Sequence, residues 1–300
     1  MHPDQVDVDA GLVRRLLAGQ HPQWADLPVT PVAELGTDHW LFRIGDDLVA
    51  RMPRIGWAAG QADSDARWLP RLAGHVPVTL PVPLALGEPT ADYPFRWSVV
   101  RWLPGSTPTG TNVDPLVLAD ELAAFVGALH AVDAAGGPPR TGTERGAPVR
   151  GWDAAVREAI ALAGNRIDGR AALAAWEHCL DAPDHDGPPV WIHGDLLAGN
   201  LLVDGGHLTA VIDFGALGVG DPAADLQPYW STVAAEAAPR FRTRLDDLRA
   251  YDEATWRRGR GWSLAPALTG IPYYWDTVPA FARRGLRTVG RVLADLGLDR

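Results

Sequence analysis

No lysine occurs in this chain, and all 27 basic residues are arginine. That absence removes the Schiff-base chemistry of PLP enzymes and lysine aldolases. It also removes the G-x-x-x-x-G-K-[ST] phosphate loop, which needs a lysine. Any cationic grip on phosphate must come from the planar guanidinium fork. The single cysteine, Cys179, excludes an intramolecular disulfide and a multi-thiolate metal site. Its expected role is that of a small buried apolar residue. No apolar run approaches the ~18 residues of a membrane span. The first nine residues hold neither a basic stretch nor an apolar core, so no secretory signal is read and the cytoplasm is the expected location. No internal repeat is seen.

What is present suits an ordinary globular protein: 300 residues, 47% hydrophobic and 21% charged. One large domain or two lobes is expected at this length. A net charge of −10 argues against a nucleic-acid partner. The first hundred residues read as strands with one or two helices. Residues 9–17 form a helix with Asp9 as N-cap. Residues 29–35, 39–44 and 47–52 are strands, the last two joined at Gly45-Asp46. Residues 61–73 are a helix and 97–103 a strand broken by Pro104-Gly105. Residues 106–114 read as a lobe boundary. Helices follow at 116–129, 153–162 and 171–180, strands within 190–214, then helices with breaks near Pro239, Ile271-Pro272 and Val278-Pro279. Residues 135–148 read as disorder-like.

The chemistry concentrates in residues 191–215, WIHGDLLAGNLLVDGGHLTAVIDFG. Two β runs, 201–203 and 208–212, flank Asp-Gly-Gly-His, a hairpin signal. Such a hairpin carries Asn200 at one strand start and Asp213 at the other strand's end, which antiparallel pairing sets side by side. An amide oxygen beside a carboxylate suits Mg²⁺, which takes oxygen ligands and is completed by water and substrate phosphates. Asp195, on the loop entering the hairpin, is placed to accept a proton from a substrate hydroxyl. His193 reads as a structural residue under that loop, Asp221 as a buried carboxylate tying loops together, and His130 as a structural helix end. Asp225 belongs either to a helix N-terminus or to a substrate cavity. Gly215, Gly218 and Gly220 have the reverse of dinucleotide-loop spacing.

His193-Gly194-Asp195 with Asn200 resembles the H-G-D-x-x-x-x-N loop of aminoglycoside phosphotransferases, small-molecule cousins of protein kinases. Ile212-Asp213-Phe214-Gly215 resembles the metal-binding D-F-G, and Gly220-Asp221-Pro222 with Asp225 the G-D-P-x-x-D-L of antibiotic kinases. The resemblance covers most of the chain. It implies an α+β, two-lobed, protein-kinase-like fold: a small β-rich N-lobe over residues 1–105, with a hinge at 99–105, and a larger, mainly helical C-lobe over 106–300. It implies ATP or GTP with Mg²⁺ as cofactors, held by Asn200 and Asp213.

The same resemblance places the phosphate-covering loop at Leu35–His39, with Gly36 and Thr37 as contacts. The family's phosphate-holding lysine falls on Arg51, and its acidic partner on Asp65, with Asp63 as the other candidate. The hinge, including Val99 and Arg101, would meet the adenine edge. Between Gly215 and the next helix there is no room for a peptide-docking segment, so a small-molecule acceptor is expected. Asp225, Asp252, Glu253 and Asp276, with Tyr229, Trp230, Trp256, Trp262, Tyr273, Tyr274 and Trp275, suggest a cavity for a cationic, partly apolar molecule. The expected activity is γ-phosphoryl transfer to an aminoglycoside or related antibiotic. Alternatives are a macrolide or metabolite (choline, sugar or amino-alcohol) kinase, or a non-catalytic nucleotide-binding relative. A monomer or weak dimer, with no nucleic-acid or membrane partner, is expected.

Overall fold

The computed structural model describes residues 5–32 and 38–299. The chain divides into two compact units, Met1–Gly105 with Ala210–Gly215, and Ser106–Thr209 with Ala216–Arg300. The return of residues 210–215 to the first unit is not expected from sequence.

The first unit holds helix α1 (Ala10–Gln20), strands β1 (Val29–Pro31), β2 (His39–Ile44) and β3 (Leu48–Pro53), helix α2 (Gln61–Leu72), and strands β4 (Pro83–Gly87) and β5 (Trp97–Arg101). Asp9 caps α1 by accepting the Leu12 N–H at 2.7 Å, satisfying one of the orphan donors of a helix start. The strands form one antiparallel sheet ordered β1-β2-β3-β5-β4. The β2–β3 turn places Gly45 at φ +57°, a conformation glycine adopts without steric cost. Strand β3 is buried along its whole length. Phe42, Ile44, Ala50, Met52 and Val99 pack with Leu12, Val13, Leu16 and Leu17 of α1 into the core. Each large apolar side chain among them contributes about 1.5–3 kcal/mol on full burial. Strand β4 is not read from the sequence: it opens on Pro83 and ends on Gly87, residues that do not mark a strand. A Cβ at Gly87 would lie 1.9 Å from the Trp97 indole.

The second unit holds helices α3 (Pro115–Leu129), α4 (Asp153–Ala163) and α5 (Gly169–Leu180), then strands β6 (Val190–Ile192), β7 (Leu201–Asp204), the first three residues of β8 (His207–Val211), and β9 (Gly218–Gly220). Helices α6 (Pro228–Ser231), α7 (Ala238–Arg249), α8 (Glu253–Tyr274) and α9 (Pro279–Asp295) follow. β6 pairs with β9, and β7 with β8, the latter around Gly205 and Gly206 at positive φ. The expected break at Ile271-Pro272 does not occur. α8 runs through Pro266 and Pro272. Close packing on α9 accounts for this: a Cβ at Gly285 would sit 2.8 Å from the Ala267 carbonyl. Cys179 is buried, and burial pushes its thiol up to about 12.

Residues 135–148 are not disordered. The Arg140 N–H donates to the Val219 carbonyl at 3.0 Å, and the Asp221 N–H to the Gly146 carbonyl at 2.9 Å. Gly146 adopts φ +88° where a Cβ would meet Ile192 at 2.3 Å. The glycines that mimic low complexity are there for close packing on β6 and β9.

Candidate active site

In the second unit the site is built on the loop after β6. Asp225 is fully buried. Its Oδ1 accepts the Gly194 N–H at 2.6 Å, and its Oδ2 the His193 N–H at 2.8 Å. The same Oδ2 lies 3.1 Å from His130 Nε2, and His130 Nδ1 meets the Tyr251 hydroxyl. A buried carboxylate needs such donors to offset its desolvation. Asp225 therefore anchors the loop, with both oxygens engaged by the fold's own donors. His193, also buried, accepts the Asp195 N–H on its ring nitrogen at 3.1 Å. Asp221 pairs with Arg258 at 2.6 Å, both nearly buried, and accepts the Ala223 N–H.

These anchors hold Asp195 at the exposed side of the loop. The Asn200 amide nitrogen donates to the Asp195 carbonyl at 2.8 Å and to its carboxylate at 3.2 Å. Arg145 lies 2.7 Å from Asp195 Oδ1 and donates to the Gly194 carbonyl at 2.7 Å. Sequence reasoning missed Arg145, which sits in the glycine- and proline-rich segment and has no motif to mark it. Trp230 is not available to a ligand: it is buried and donates to Asp295 at 3.0 Å. Tyr229 stacks against Trp230 and Trp256, and Tyr274 against Tyr273 and Phe281. Trp256 and Trp262 are core residues.

In the first unit Arg51 and Asp65 form an ion pair at 2.8 Å, with side chains 10% and 1% exposed. Asp63 instead pairs with Arg96 at 2.7 Å. Burial holds the Asp65 carboxyl up at about 6; Arg51 opposes that shift and the Asp213 charge adds to it. Burial, then Arg51, pushes His39 down to about 3, against the pull of Asp213. With its amide turned oxygen-first, Gln61 accepts from the Gly215 N–H at 3.0 Å and from Arg51 at 3.1 Å. Gln61 is a second residue that sequence reasoning missed. Asp213 is exposed and sits at φ +61°. A left-handed non-glycine residue costs on the order of 1 kcal/mol and commonly marks a functional constraint. Val99 is buried and pairs with Ala50 and Ala85 in the sheet, while Arg101 ends β5 exposed. Gly36 and Thr37 lie outside the described residues.

Each unit offers an oxygen donor of the kind a hard divalent cation takes. Asn200 is tethered through its nitrogen, so its amide oxygen, which accepts no hydrogen bond among the described residues, is left as a ligand. Asp213 offers an exposed carboxylate. Among the described residues no three His, Cys, Asp or Glu side chains cluster as a complete metal site.

The fold is shared with solved phosphotransferases. A GDP complex of wild-type aminoglycoside 2'-phosphotransferase-IIIa matches with a TM-score of 0.73 at 18% identity, covering 96% of this chain and 100% of that one. A GDP and kanamycin complex of APH(2")-IIIa matches at 0.72 and 18% identity, covering 94% and 98%. Macrolide 2'-phosphotransferase MphH from Brachybacterium faecium matches at 0.62 and 24%, covering 94% and 97%. No curated protein sequence matches the chain significantly. The profile of the phosphotransferase enzyme family matches residues 29–262, and the chain belongs to that family. Its architecture is the expected α+β, kinase-like one. Among the described residues, no helix is long and apolar enough to cross a membrane.

Proposed function

We propose that the protein transfers the γ-phosphoryl group of ATP or GTP to a hydroxyl of a small molecule. The observation that carries this reading is the loop geometry at Asp195. Three elements fix that carboxylate: Asn200 and Arg145 hold its oxygens, and Asp225 holds the backbone before it. A positioned base and a preorganised set of phosphate-directed groups are what phosphoryl transfer asks of a protein. In the second unit, Asp195 orients the acceptor hydroxyl and takes its proton onto a carboxylate oxygen. In the first, Arg51 holds nucleotide phosphate oxygens through its fork, kept in place by Asp65 and Gln61. Asn200, in the second unit, and Asp213, in the first, are the oxygen donors that would serve Mg²⁺, which when bound would neutralise charge on the phosphates. The antibiotics named with the similar structures, kanamycin among them, suggest an antibiotic acceptor; a metabolite acceptor is the second reading. A cytoplasmic location follows from the use of ATP or GTP.

The test is a phosphorylation screen with ATP and GTP over aminoglycosides, macrolides and small hydroxylated metabolites, run beside Asp195→Ala. The variant is expected to lose transfer and keep nucleotide binding. A fully active Asp195→Ala enzyme would refute the assignment.

A further inference from the structure

Resting on that reading, the arginine that faces Asp195 has donors left for the reaction itself. Arg145 is fixed from several sides, all within the second unit. Its Nη1 lies 2.7 Å from Asp195 Oδ1, donates to the Gly194 carbonyl at 2.7 Å and meets Gln227 Oε1 at 3.4 Å. Its stem packs on the loop: Gly194 sits at φ +77°, and a Cβ there would lie 3.2 Å from the Arg145 Cβ. The backbone around it is pinned too. The Ala147 N–H donates to the Glu144 carbonyl at 3.0 Å, and the Asp221 N–H to the Gly146 carbonyl at 2.9 Å. An arginine held along its stem and at one terminal nitrogen has given up most of its rotamer freedom before any ligand arrives.

Only one of its three nitrogens is used. Nε and Nη2 donate to nothing among the described residues, and neither is sealed from solvent. The contact with Asp195 is one of charge, since no N–H is directed at Oδ1, and Oδ1 is itself shut off from solvent. Oδ2, which accepts from Asn200 at 3.2 Å, is then the oxygen left to receive a proton. In transfer, the acceptor oxygen bonds to the γ-phosphorus while the bond from that phosphorus to the diphosphate oxygen breaks. The hydroxyl proton passes to Asp195 Oδ2, and the electron pair leaves with the nucleoside diphosphate. Asp195 and the phosphorus thus share the acceptor oxygen, which brings the phosphoryl oxygens within a few ångströms of the carboxylate. Two groups of like charge meet at this loop. The chain has no lysine to set between them, and Arg145 is the cation already there.

We propose that Arg145 is a further catalytic residue: its Nε–Nη2 edge binds the phosphoryl group in transfer, while its Nη1 stays on the Gly194 carbonyl. A guanidinium edge meets two phosphoryl oxygens at once, and it stabilises the charge that spreads over them as the bonds exchange. The contact is made to the transferred group and not to the acceptor, so it serves an antibiotic and a metabolite alike.

Capture of a transition-state mimic tests this without turnover. The wild-type chain is titrated calorimetrically with ADP and GDP in the presence of Mg²⁺, with and without fluoroaluminate, which stands in for the phosphoryl group. Fluoroaluminate is expected to tighten the preferred diphosphate by about 100-fold or more. Arg145→Met, which keeps the stem on Gly194, should remove most of that gain and leave the affinity for the diphosphate alone unchanged. Arg145→Lys, the variant to read if the methionine chain does not fold, should keep only part of it, because an ammonium has no fork. Asp195→Asn removes the charge of the base but not the Gly194 and Gln227 anchors of Arg145, and should keep the gain. That variant separates a direct contact from an effect relayed through the base. Absence of any gain in the wild type overturns the proposal. So does a gain that survives Arg145→Met, one undiminished in Arg145→Lys, or one lost equally in Asp195→Asn. In turnover, Arg145→Met should lower kcat on the order of 100-fold or more. A chain that captures fluoroaluminate through Arg145 but phosphorylates no acceptor fails the kinase reading and leaves the contact standing. A chain that phosphorylates an acceptor while its capture ignores Arg145 does the reverse, and one that binds neither diphosphate fails both.

Discussion

Replacing Asp225 by asparagine leaves shape almost unchanged and removes one acceptor from a fully buried junction. The carboxylate accepts Gly194 N–H at 2.6 Å and His193 N–H at 2.8 Å, and meets His130 at 3.1 Å. An asparagine keeps one oxygen and turns an NH₂ toward a donor in either orientation. If the NH₂ faces Gly194, one charge-assisted bond is lost. If it faces the other side, His130 can change tautomer to accept, but the His193 N–H is orphaned. A hydrogen bond to a charged group contributes about 1.5–3 kcal/mol, and a buried orphan donor costs about 1–3 kcal/mol more. The expected loss is therefore about 3–5 kcal/mol, or on the order of 10 °C in thermal midpoint for a unit of this size. The catalytic consequence is selective. Gly194 and Asp195 lose their anchor, and a misplacement of about 1 Å costs on the order of 100-fold in rate. Arg51, Asp65 and Asp213 belong to the other unit, so nucleotide affinity should not change. Thermal melts with and without nucleotide, and kcat measured against nucleotide KM, read both effects. An Asp225→Asn chain that melts with the wild type and keeps its kcat refutes the anchoring argument.

Other outcomes follow from the first unit. Asp65 has its carboxyl raised to about 6. The raised value favours the protonated folded form, giving stability that is full below the ordinary value of 3.8 and lost as pH rises through about 6. The ionised form that grips Arg51 exists only above about 6, so nucleotide affinity should fall as pH drops through that point, and Asp65→Asn should flatten the profile. Gly87→Ala sets a methyl 1.9 Å from Trp97 and should cost about 2–3 kcal/mol in a melt, whereas Gly74→Ala, with nothing within 4 Å, should not. Arg51→Lys should weaken nucleotide binding because a shorter ammonium cannot serve Asp65 and Gln61 together. Arg51→Lys with Asp65→Glu, a shorter cation facing a longer acid, should recover part of the loss, and no recovery would refute the reading that the reach between the two sets the grip.

The sequence made the site legible where chemistry demands contiguous residues. Asp195, Asn200 and Asp213 fall within one stretch of nineteen residues, 195–213, so one run of sequence is enough to raise the expectation for all three. The helices announced themselves by caps such as Asp9 and by apolar period. What stayed hidden depends on tertiary partners. Nothing local to Gly87, at the end of β4, reveals the Trp97 indole that fills its Cβ position. Pro272 looks like a helix stop, yet α8 continues through it where packing on α9 outweighs the lost backbone bond. Trp230 and Asp225 carry side chains suited to a ligand cavity, and only the fold shows that Asp295, His130 and the loop amides already occupy them.

Arg145 shows why an arginine-only chain is harder to read at its site than at its fold. An ammonium is a point charge whose partner is one acid, whereas a guanidinium spreads donors over a plane and serves divergent acceptors. Arg145 reaches Asp195, the Gly194 carbonyl and, at 3.4 Å, Gln227. Arg258 reaches Asp221, Thr255 and the Pro183 carbonyl. Arg51 follows the same pattern with Asp65 and Gln61. Where a lysine would need one acid of matching length, the arginine recruits a neutral amide as a second support. A short Asp65 is then sufficient because Gln61 fixes the other edge of the fork. The supporting residue is accordingly a glutamine at the start of α2, a position that a search for a lysine–glutamate pair has no reason to inspect.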